Sequence, residues 1–303
     1  MNKKSPLVSV VMPIFNAQNY ISKALESILH QTYQNLEIIV INDGSTDSSR
    51  EILESFNDPR IKLISRENRG LIATLNEGIA LSSGMYIARM DADDICYPAR
   101  IERQVEYLES HKDIGVLFTG LEYIDAKGSV IKTNVTSKFR EVFPVQLLFG
   151  CPVCHPTAIF NLRLLAKEDI KYDSDFKNTE DFELWTRLIS RTKVGILAGE
   201  LFQYRIHTQS ITSTNNLNQR NIAVKAISEN LLHVKSTRIK KSIGIIYNNR
   251  QGNDSNFQTF FAIFFVFLNL KRINKSFTYY HYMIRSYRLM RKLIFNRDAN
   301  SLR

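Results

Sequence analysis

The chain has 303 residues, 44% of them hydrophobic, which is enough for one large domain or two small ones with a buried core. Its three cysteines, Cys96, Cys151 and Cys154, are too few for a disulfide framework and indicate a reducing compartment. The apolar run Leu7–Phe15 is short and lacks a small-residue cleavage site. The sequence therefore predicts no signal peptide and a cytoplasmic protein.

The net charge of +10 is concentrated in the last part of the sequence. Residues 218–303 contain sixteen Lys and Arg residues against three Asp and Glu residues, a balance of +13, whereas residues 1–217 have a balance of −3. A near-neutral body followed by a strongly basic segment predicts contact with an anionic surface, either membrane lipid or nucleic acid.

Strands and helices alternate at the start of the chain. We predict strands over Leu7–Phe15, Leu36–Ile41, Ile61–Ile64 and Tyr86–Met90, separated by helices over 20–31, 48–56 and 71–81. This spacing is typical of right-handed βαβ units and a parallel sheet. Ligands bind beyond the carboxyl ends of such strands, where this sequence has Asn16, Asp43 and Asp91.

The pattern becomes mixed after a further helix predicted over 98–110. Short strands are predicted at 116–119, 122–124, 130–133, 194–197 and 201–204, with a hairpin turn at 125–128 and a helix at 180–190. Residues 218–234 are predicted to form an amphipathic helix. The apolar run Phe257–Leu270 has fourteen residues, fewer than the roughly 20 that a helix needs to span a bilayer.

Three closely spaced carboxylates, Asp91, Asp93 and Asp94, follow the strand Tyr86–Met90. Like charges at this spacing raise each other's pKa values and repel, unless a cation lies among them. Carboxylate oxygens at the end of a rigid strand are ligands that Mg²⁺ or Mn²⁺ prefers, especially where phosphate oxygens complete the shell. The alternative is a solvated acidic turn that caps the next helix.

Five motifs, in this order, resemble the inverting glycosyltransferases of family 2, of the bacterial surface-polysaccharide type: Pro13–Asn16, Ile41–Asp47, Asn68–Gly70, Asp91–Asp94 and Glu180–Asp181. The resemblance covers about residues 6–210. It implies an α/β fold of the GT-A type, with a mostly parallel central sheet flanked by helices. Residues 1–217 would form this domain, with a nucleotide-sugar half at 1–112 and an acceptor half at 113–217. Residues 218–303 would form a basic, aromatic, mainly helical extension.

The resemblance also implies a role for individual residues. Donor-binding residues would be Pro13, Asn16, Asp43, Arg69, Asp91 and Asp93. Within this set, Asp43 would accept a hydrogen bond from uracil and Arg69 would lie near the diphosphate. Asp91 and Asp93, together with His207, would bind Mn²⁺ or Mg²⁺, which neutralises charge on the departing nucleoside diphosphate.

Further along the chain, the resemblance implies that Asp181 is the general base that takes the proton from an acceptor hydroxyl. Glu180 and His155 would contact the acceptor. Acidic residues in a first helical turn are also favoured by the helix dipole, which is a purely structural explanation for Glu180 and Asp181. The implied reaction moves a sugar from a UDP-sugar to a glycan hydroxyl and inverts the anomeric centre.

The basic extension interleaves aromatic residues with cations, as in Tyr279, Tyr280, Tyr282, Tyr287 and Phe295 beside Arg285, Arg288, Arg291 and Lys292. This composition suits the headgroup layer of an anionic membrane, and it predicts a lipid-linked acceptor and a peripheral position on the inner face of the plasma membrane. A helical appendage packed on the body and a dimer contact are the structural alternatives.

Other functions fit the sequence less well. A Rossmann dehydrogenase would carry Gly-x-Gly-x-x-Gly after the first strand, where this sequence has no glycine. Nucleic-acid binding through the tail and an inactive scaffold are further alternatives, although the acidic motifs do not need either. The segment Cys151–His155 has the spacing of a haem attachment site or of half a zinc site, but no export signal and no second ligand pair accompany it.

Overall fold

The computed structural model of the chain describes residues 5–134, 138–142, 144–207, 217–234, 236–248, 256–273, 282–283 and 285–290. The chain divides into two compact units. Unit 1 comprises Met1–Glu141, Val153–Lys177 and Thr192–Ser213, and unit 2 comprises Val142–Pro152, Asn178–Arg191 and Thr214–Arg303. Unit 2 therefore combines the basic carboxyl-terminal segment with two short pieces of the predicted acceptor half.

Unit 1 is built around one ten-stranded sheet. Its strands are β1 Val8–Ile14, β2 Leu36–Asp43, β3 Ile61–Arg66, β4 Tyr86–Arg89, β5 Ile95–Cys96, β6 Ile114–Ile124, β7 Val130–Asn134, β8 Arg140–Val142, β9 Ile159–Asn161 and β10 Lys193–Arg205. Its helices are α1 Ile21–Leu29, α2 Ser49–Glu54, α3 Leu71–Leu81 and α4 Arg100–Ser110. Short 3₁₀ turns occur at His155–Thr157 and Ser174–Phe176.

The strand order is β3-β2-β1-β4-β9-β6-β10-β5, with β7 paired to β6 and β8 to β10. β1 runs parallel to both β2 and β4, β2 runs parallel to β3, and β6 runs parallel to β10. β9 lies antiparallel between β4 and β6. The predicted α/β class with a mostly parallel sheet flanked by helices is confirmed, and the carboxyl ends of β1, β2 and β4 meet at one edge.

Both faces of β1 are covered, which explains its continuous apolar sequence. Val10 and Met12 belong to a core that includes Ile21 and Leu25 of α1. On the other face, a Cβ added to Gly78 of α3 would come within 2.4 Å of the Val11 side chain. Glycine at that position therefore allows α3 to approach the sheet closely, which fixes β1 at the centre of the unit.

Two pairs of predicted short strands are each one long strand, and those predictions were wrong. Residues 116–119 and 122–124 are joined in β6 because Gly120 and Leu121 between them stay extended and buried, and Leu121 pairs with β7. Residues 194–197 and 201–204 are joined in β10, whose register shifts near Gly199 at a φ of 97°. A bulge of this kind breaks the alternation of side chains without ending the strand.

Unit 2 is helical in the part that the structure describes. Its helices are α5 Pro144–Leu147, α6 Glu180–Leu188, α7 Leu217–Ala226, α8 Thr237–Asn248 and α9 Asn256–Ile273, with a π-helical turn at Ile227–Leu231 after α7. The predicted amphipathic helix at 218–234 is therefore α7 plus that turn, and the apolar run lies in α9. The sequence pattern did not predict α8.

Helices of unit 2 are connected by specific side-chain contacts. The Asn230 side-chain amide donates to Glu183 Oε1 of α6 at 2.8 Å, and the Tyr282 hydroxyl donates to the Ile263 carbonyl of α9 at 2.9 Å. No helix among the described residues is both long and apolar enough to cross a membrane. Several residues of the predicted aromatic and basic tail lie outside the described residues: Lys275, Tyr279, Tyr280, Arg291, Lys292 and Phe295.

Candidate active site

Side-chain hydrogen bonds tie the loop after β1 to the loop after β2. The N–H of Asn16 donates to Ser45 Oγ at 3.0 Å, and Asn16 Oδ1 accepts from the Thr46 N–H at 2.8 Å. Asn16 has a φ of 51°, a left-handed conformation that asparagine tolerates better than most residues. Pro13 lies inside β1 and is buried, whereas Asn16 is exposed at the edge of the sheet.

Asp43, the last residue of β2, is 3% exposed and is matched by donors from the segment before α3. Its Oδ1 pairs with the Arg66 guanidinium and accepts from the Arg69 N–H at 2.8 Å, while Oδ2 accepts from the Gly70 N–H at 2.9 Å. A carboxylate has about four acceptor positions, so Asp43 can still accept a further hydrogen bond. The Arg69 side chain is exposed, and its backbone is what contacts Asp43.

Two glycines allow these loops to come together. Gly44 has a φ of 72°, and a Cβ added there would come within 2.6 Å of the Asn68 backbone nitrogen. Gly70 has a φ of 83° and precedes the first residue of α3. Both residues adopt a left-handed conformation that side chains disfavour, and glycine removes that cost.

The loop after β4 holds the three predicted carboxylates in different surroundings. Asp91 accepts from the Arg89 guanidinium through Oδ1. Asp93 Oδ2 lies 2.8 Å from Nε2 of His207. Asp94 is 1% exposed and accepts from the Arg205 N–H at 2.8 Å through Oδ1, while its Oδ2 accepts no hydrogen bond from any residue that the structure describes.

The electrostatics of this loop reflect crowded negative charge. Burial raises the pKa of Asp91; the Arg89 charge opposes this increase and the Asp93 charge adds to it. Burial also raises the pKa of Asp94 well above its ordinary value, and the negative charges of Asp93 and Asp91 raise it further. The donors of the protein itself therefore do not balance the negative charge of this loop, and an added cation would.

The end of β10 holds this acidic loop in place. Arg205 Nε donates to the Asp93 carbonyl at 2.7 Å, and its Nη1 donates to the Asp125 carbonyl of the hairpin turn at 2.9 Å. Its guanidinium carbon lies 4.9 Å from the centre of the Tyr20 ring, and that ring lies 5.1 Å from the His207 ring. Arg205 and Tyr20 thus position His207 beside Asp93.

The structure brings together two of the three predicted metal ligands, Asp93 and His207, while Asp91 faces Arg89. Within the described ranges there is no group of three His, Cys, Asp or Glu side chains that would hold a metal ion by themselves. The pair fits a divalent cation whose remaining positions are filled by ligand oxygens or water, as carboxylate and imidazole both bind such ions. The same finding gives no support to a zinc site at Cys151–His155.

His155 begins a 3₁₀ turn, and its Nε2 lies 2.6 Å from the Tyr172 hydroxyl. Burial lowers the pKa of His155 well below its ordinary value, and the positive charge of Arg89 lowers it further. The Tyr172 hydroxyl therefore holds one ring nitrogen of His155 in place at the start of this turn.

The two predicted acceptor-side acids lie in unit 2, at the start of α6. Glu180 is buried and Asp181 is partly exposed. Asp181 Oδ1 accepts from the Phe182 N–H at 2.7 Å, so the carboxylate turns toward the amino end of the helix. Glu183 of the same helix pairs instead with Arg187 at 3.0 Å.

Three residues at the site were not predicted from the sequence. Phe15 is 52% exposed at the end of β1, Arg66 pairs with Asp43, and Tyr20 lies between Arg205 and His207. The only hint of Phe15 in the sequence is its position, one residue after the apolar run of β1 and next to Asn16. Arg66 and Tyr20 carry no such signal, because their partners are distant in the chain.

The chain matches the family model described as glycosyl transferase family 2 over residues 9–168. A protein of Haemophilus influenzae described as an uncharacterized glycosyltransferase is 38% identical over 242 residues, covering 75% of this chain and 74% of that protein. A relative from Methanocaldococcus jannaschii with the same description is 34% identical over 209 residues, covering 66% of this chain and 71% of that protein.

Solved structures of S. aureus TarS residues 1–349 share the fold. The complex of TarS with UDP-GlcNAc has a TM-score of 0.64 at 17% identity and covers 97% of this chain and 92% of that one. The complex with UDP has a TM-score of 0.60 at 20% identity and covers 84% and 74% respectively. Since the family model spans more than half of the residues and the bacterial relative is similar over three quarters of them, this chain belongs to glycosyl transferase family 2 and is a glycosyltransferase.

Proposed function

We propose that this enzyme transfers a sugar from a UDP-sugar to a hydroxyl of a glycan acceptor, with inversion at the anomeric carbon and with Mn²⁺ or Mg²⁺ as cofactor. The observation that carries the proposal is the edge formed by β1, β2 and β4. Asn16, Asp43 and Asp93 end or follow these parallel strands, and His207 joins Asp93 there. Ligands of open parallel sheets bind beyond this edge.

A uridine nucleotide fits the acceptors and the exposed ring at this edge. TarS, which shares the fold, was solved with UDP and with UDP-GlcNAc. In the present chain Asp43 retains acceptor capacity for an N–H of the base, and Phe15 exposes an aromatic face on which a base can stack. Asn16 and the Arg69 side chain are exposed beside the same loops.

Asp93 and His207 would hold the divalent cation. The negative charge of Asp91, which already interacts with that of Asp93, would add to the attraction between this loop and the cation. When bound, such a cation would supply positive charge that stabilises the departing nucleoside diphosphate. Tyr20 and Arg205 keep the imidazole and the Asp93 backbone in place before a ligand arrives. Pre-positioned groups lower the cost of ordering the site when the donor binds.

We assign the general base to Asp181, following the family resemblance. Its carboxylate would take the proton of the acceptor hydroxyl as that oxygen forms a bond to the anomeric carbon. The bond from that carbon to the diphosphate oxygen breaks in the same step, and the nucleoside diphosphate leaves. One displacement from the opposite face converts an α-linked donor to a β-linked product. Glu180 and His155 would orient the acceptor.

A lipid-linked glycan is the acceptor class that we propose, within surface polysaccharide synthesis at the inner face of the plasma membrane. The support is the charge distribution, because residues 218–303 have a balance of +13 that suits an anionic bilayer. Nucleic acid is the less favoured partner, since the acidic edge of the sheet would repel phosphate in the absence of a cation.

The test separates donor binding from chemistry. UDP-sugars are screened for the rise in melting temperature that they produce with and without Mn²⁺, since a ligand of the native state stabilises it. With the selected donor, Asp181→Asn should keep that rise but lose turnover by about 10²–10⁴-fold, the usual contribution of a general base.

Glu229→Gln is the matched control, because Glu229 is an exposed acid of the same unit, and it should keep full turnover. Normal turnover of Asp181→Asn would move the base elsewhere. If no UDP-sugar raises the melting temperature in the presence of Mn²⁺, the donor class is wrong.

A further inference from the structure

Helix α9 of unit 2 has one buried face and one exposed apolar face. Thr259, Ala262, Ile263 and Val266 are buried. Phe260 is 53% exposed, Phe264 50% and Leu268 60%. These three residues are spaced at i, i+4 and i+8, which places them along one side of the helix, and we call them the α9 outer face. Large apolar residues grouped in this way mark an interaction surface more often than scattered ones do.

A second helical segment that packs on α9 also exposes apolar side chains. The Tyr282 hydroxyl donates to the Ile263 carbonyl, and the Tyr282 ring lies 6.3 Å from the Phe267 ring of α9. In the same segment Met283 is 53% exposed and Tyr287 is 67% exposed. Exposed aliphatic and aromatic side chains therefore occur on this second segment as well as on α9.

One cation contacts α9, and two more are exposed on the helical segments around it. The Arg238 guanidinium of α8 is centred 4.6 Å from the ring of Phe265, the residue that follows Phe264. Lys241 of α8 and Arg288 of the second segment are exposed. Apolar side chains that enter the acyl boundary, with Lys and Arg at the level of the headgroups, are the chemistry of a helix lying in a membrane interface.

We infer that the α9 outer face docks on an anionic lipid bilayer, with Arg238, which lies over Phe265, and the exposed Lys241 of α8 as the cations that meet the headgroups. This deepens the proposed function, because it would bring the enzyme to the layer that holds a lipid-linked acceptor. The bilayer fits better than a second copy of the chain, since a two-fold interface would bring two segments of balance +13 together. It also fits better than a DNA duplex, whose bases are stacked inside the helix and whose outer surface of charged phosphates offers no apolar contact for Phe264 and Leu268.

The experiment measures the partition of the full-length protein onto vesicles of equal parts phosphatidylglycerol and phosphatidylcholine. The substitutions Phe260→Ser, Phe264→Ser and Leu268→Ser are made together. They should lower the partition coefficient by about tenfold or more, since each removes apolar area from the interface. Arg238→Gln with Lys241→Gln should lower it by about tenfold at low salt, and the difference should shrink as salt rises.

Val130→Ser with Ile131→Ser is the matched control, because both residues are exposed and apolar in β7 of unit 1, at 52% and 58%. It should leave the partition unchanged. No donor or acceptor is present, so the result does not depend on whether the proposed transfer is correct; turnover is measured separately on a water-soluble acceptor.

Three results would overturn the inference. The first is equal partition of the wild type and the triple serine variant. The second is tighter binding of the wild type to a DNA duplex than to the vesicles at the same salt concentration. The third is a wild-type dimer that the triple serine variant dissolves while neither protein binds vesicles. Equal melting temperatures of all variants show that the folds are comparable.

Discussion

Two acidic loops lie at the same edge of the sheet, and the protein treats their charges differently. Asp43 after β2 is paired with Arg66 and accepts two backbone N–H groups. In the loop after β4, Asp91 and Asp94 have raised pKa values from burial and from neighbouring carboxylates, and Asp94 Oδ2 has no hydrogen-bond donor among the described residues. One loop is electrostatically complete, and the other has an excess of negative charge.

This difference separates an aspartate that donors of the protein hold in place from aspartates whose charge favours a bound cation. A carboxylate whose donors come from the protein stabilises its loop and gains little from an added ion. Carboxylates that repel each other raise the free energy of the loop, and a bound cation removes this repulsion. The loss of repulsion therefore contributes to the free energy of cation binding. The comparison therefore predicts opposite results for the same aspartate-to-asparagine change in the two loops.

The largest effect is expected for Asp93→Asn. Loss of this carboxylate should abolish the rise in melting temperature caused by Mn²⁺ and lower kcat/KM by about 10²–10³-fold, the usual cost of removing one electrostatic stabiliser. The free energy of unfolding without cation should fall by less than about 1 kcal/mol, because repulsion within the loop is also removed. Thermal shift, steady-state kinetics and urea unfolding measure these three quantities.

Asp113→Asn is the control for that change. Asp113 is an exposed acid of the same unit, paired with Lys193 at 2.6 Å, and its substitution should leave the Mn²⁺ response and the kinetics unchanged. A variant at Asp93 that keeps the Mn²⁺ response would show that the cation binds elsewhere.

Much of the edge and its two loops could be predicted from the sequence, because local signals specify them. The apolar runs that became β1, β2 and β4 end in Asn16, Asp43 and Asp91, and parallel topology alone brings such ends together. Strand continuity was harder to predict. β10 contains a register shift near Gly199 that interrupts its side-chain pattern, and pairing with β6 on both sides of the shift keeps it one strand.

The partners of the acids were not predictable in the same way. Arg66 and Asp43 are brought together by the pairing of β2 with β3, and Tyr20 reaches Arg205 across the sheet edge. Such contacts depend on tertiary packing, which periodicity and spacing do not encode. For this reason the sequence predicted which acids lie at the edge, and the structure adds the protein groups that pair with each of them.

A smaller effect, on stability, is expected for Asp43→Asn. The variant keeps one acceptor oxygen, but its amide nitrogen would face the N–H of Gly70 or the donors from Arg66 and Arg69. Leaving a buried donor unsatisfied costs about 1–3 kcal/mol, so the free energy of unfolding should fall by about 2 kcal/mol, with the Mn²⁺ response retained. Urea unfolding with and without Mn²⁺ measures both.

The control for this change is Glu54→Gln, which breaks another carboxylate–arginine pair, with Arg50 at 2.7 Å, on an exposed helix surface. Because solvent screens this exposed pair, its loss should leave the free energy of unfolding almost unchanged. If the free energy of unfolding falls equally in the two variants, burial and the backbone donors do not make the Asp43 carboxylate more stabilising than an exposed one. The contrast between the two loops would then be wrong for the loop that contains Asp43.

The smallest effect is expected for Glu109, which lies near the opposite end of β4. Like that of Asp43, its carboxylate is hydrogen-bonded by donors of the protein itself. Burial acts to raise its pKa, but hydrogen bonds from Lys112, Tyr86 and Arg163 outweigh burial and lower the pKa to about 2. A folded-state pKa below the ordinary value of 4.5 means that the stabilisation is present above pH 4.5 and is lost as pH falls toward 2. This is the reverse of the raised pKa values in the loop after β4.

Glu109→Gln should therefore lower the free energy of unfolding at pH 7 by about 1 kcal/mol, after allowance for solvent screening of this partly exposed group. The difference from wild type should shrink steadily between pH 4.5 and pH 3, because Glu109 takes up a proton in the unfolded chain over this range while it stays ionised in the folded protein. Urea unfolding at pH 7, 5, 4 and 3 measures the trend. If the difference in free energy of unfolding between wild type and variant stays constant with pH, Glu109 contributes through packing. Its three donors would then not stabilise its charge in the way that Arg66 and two N–H groups stabilise the charge of Asp43.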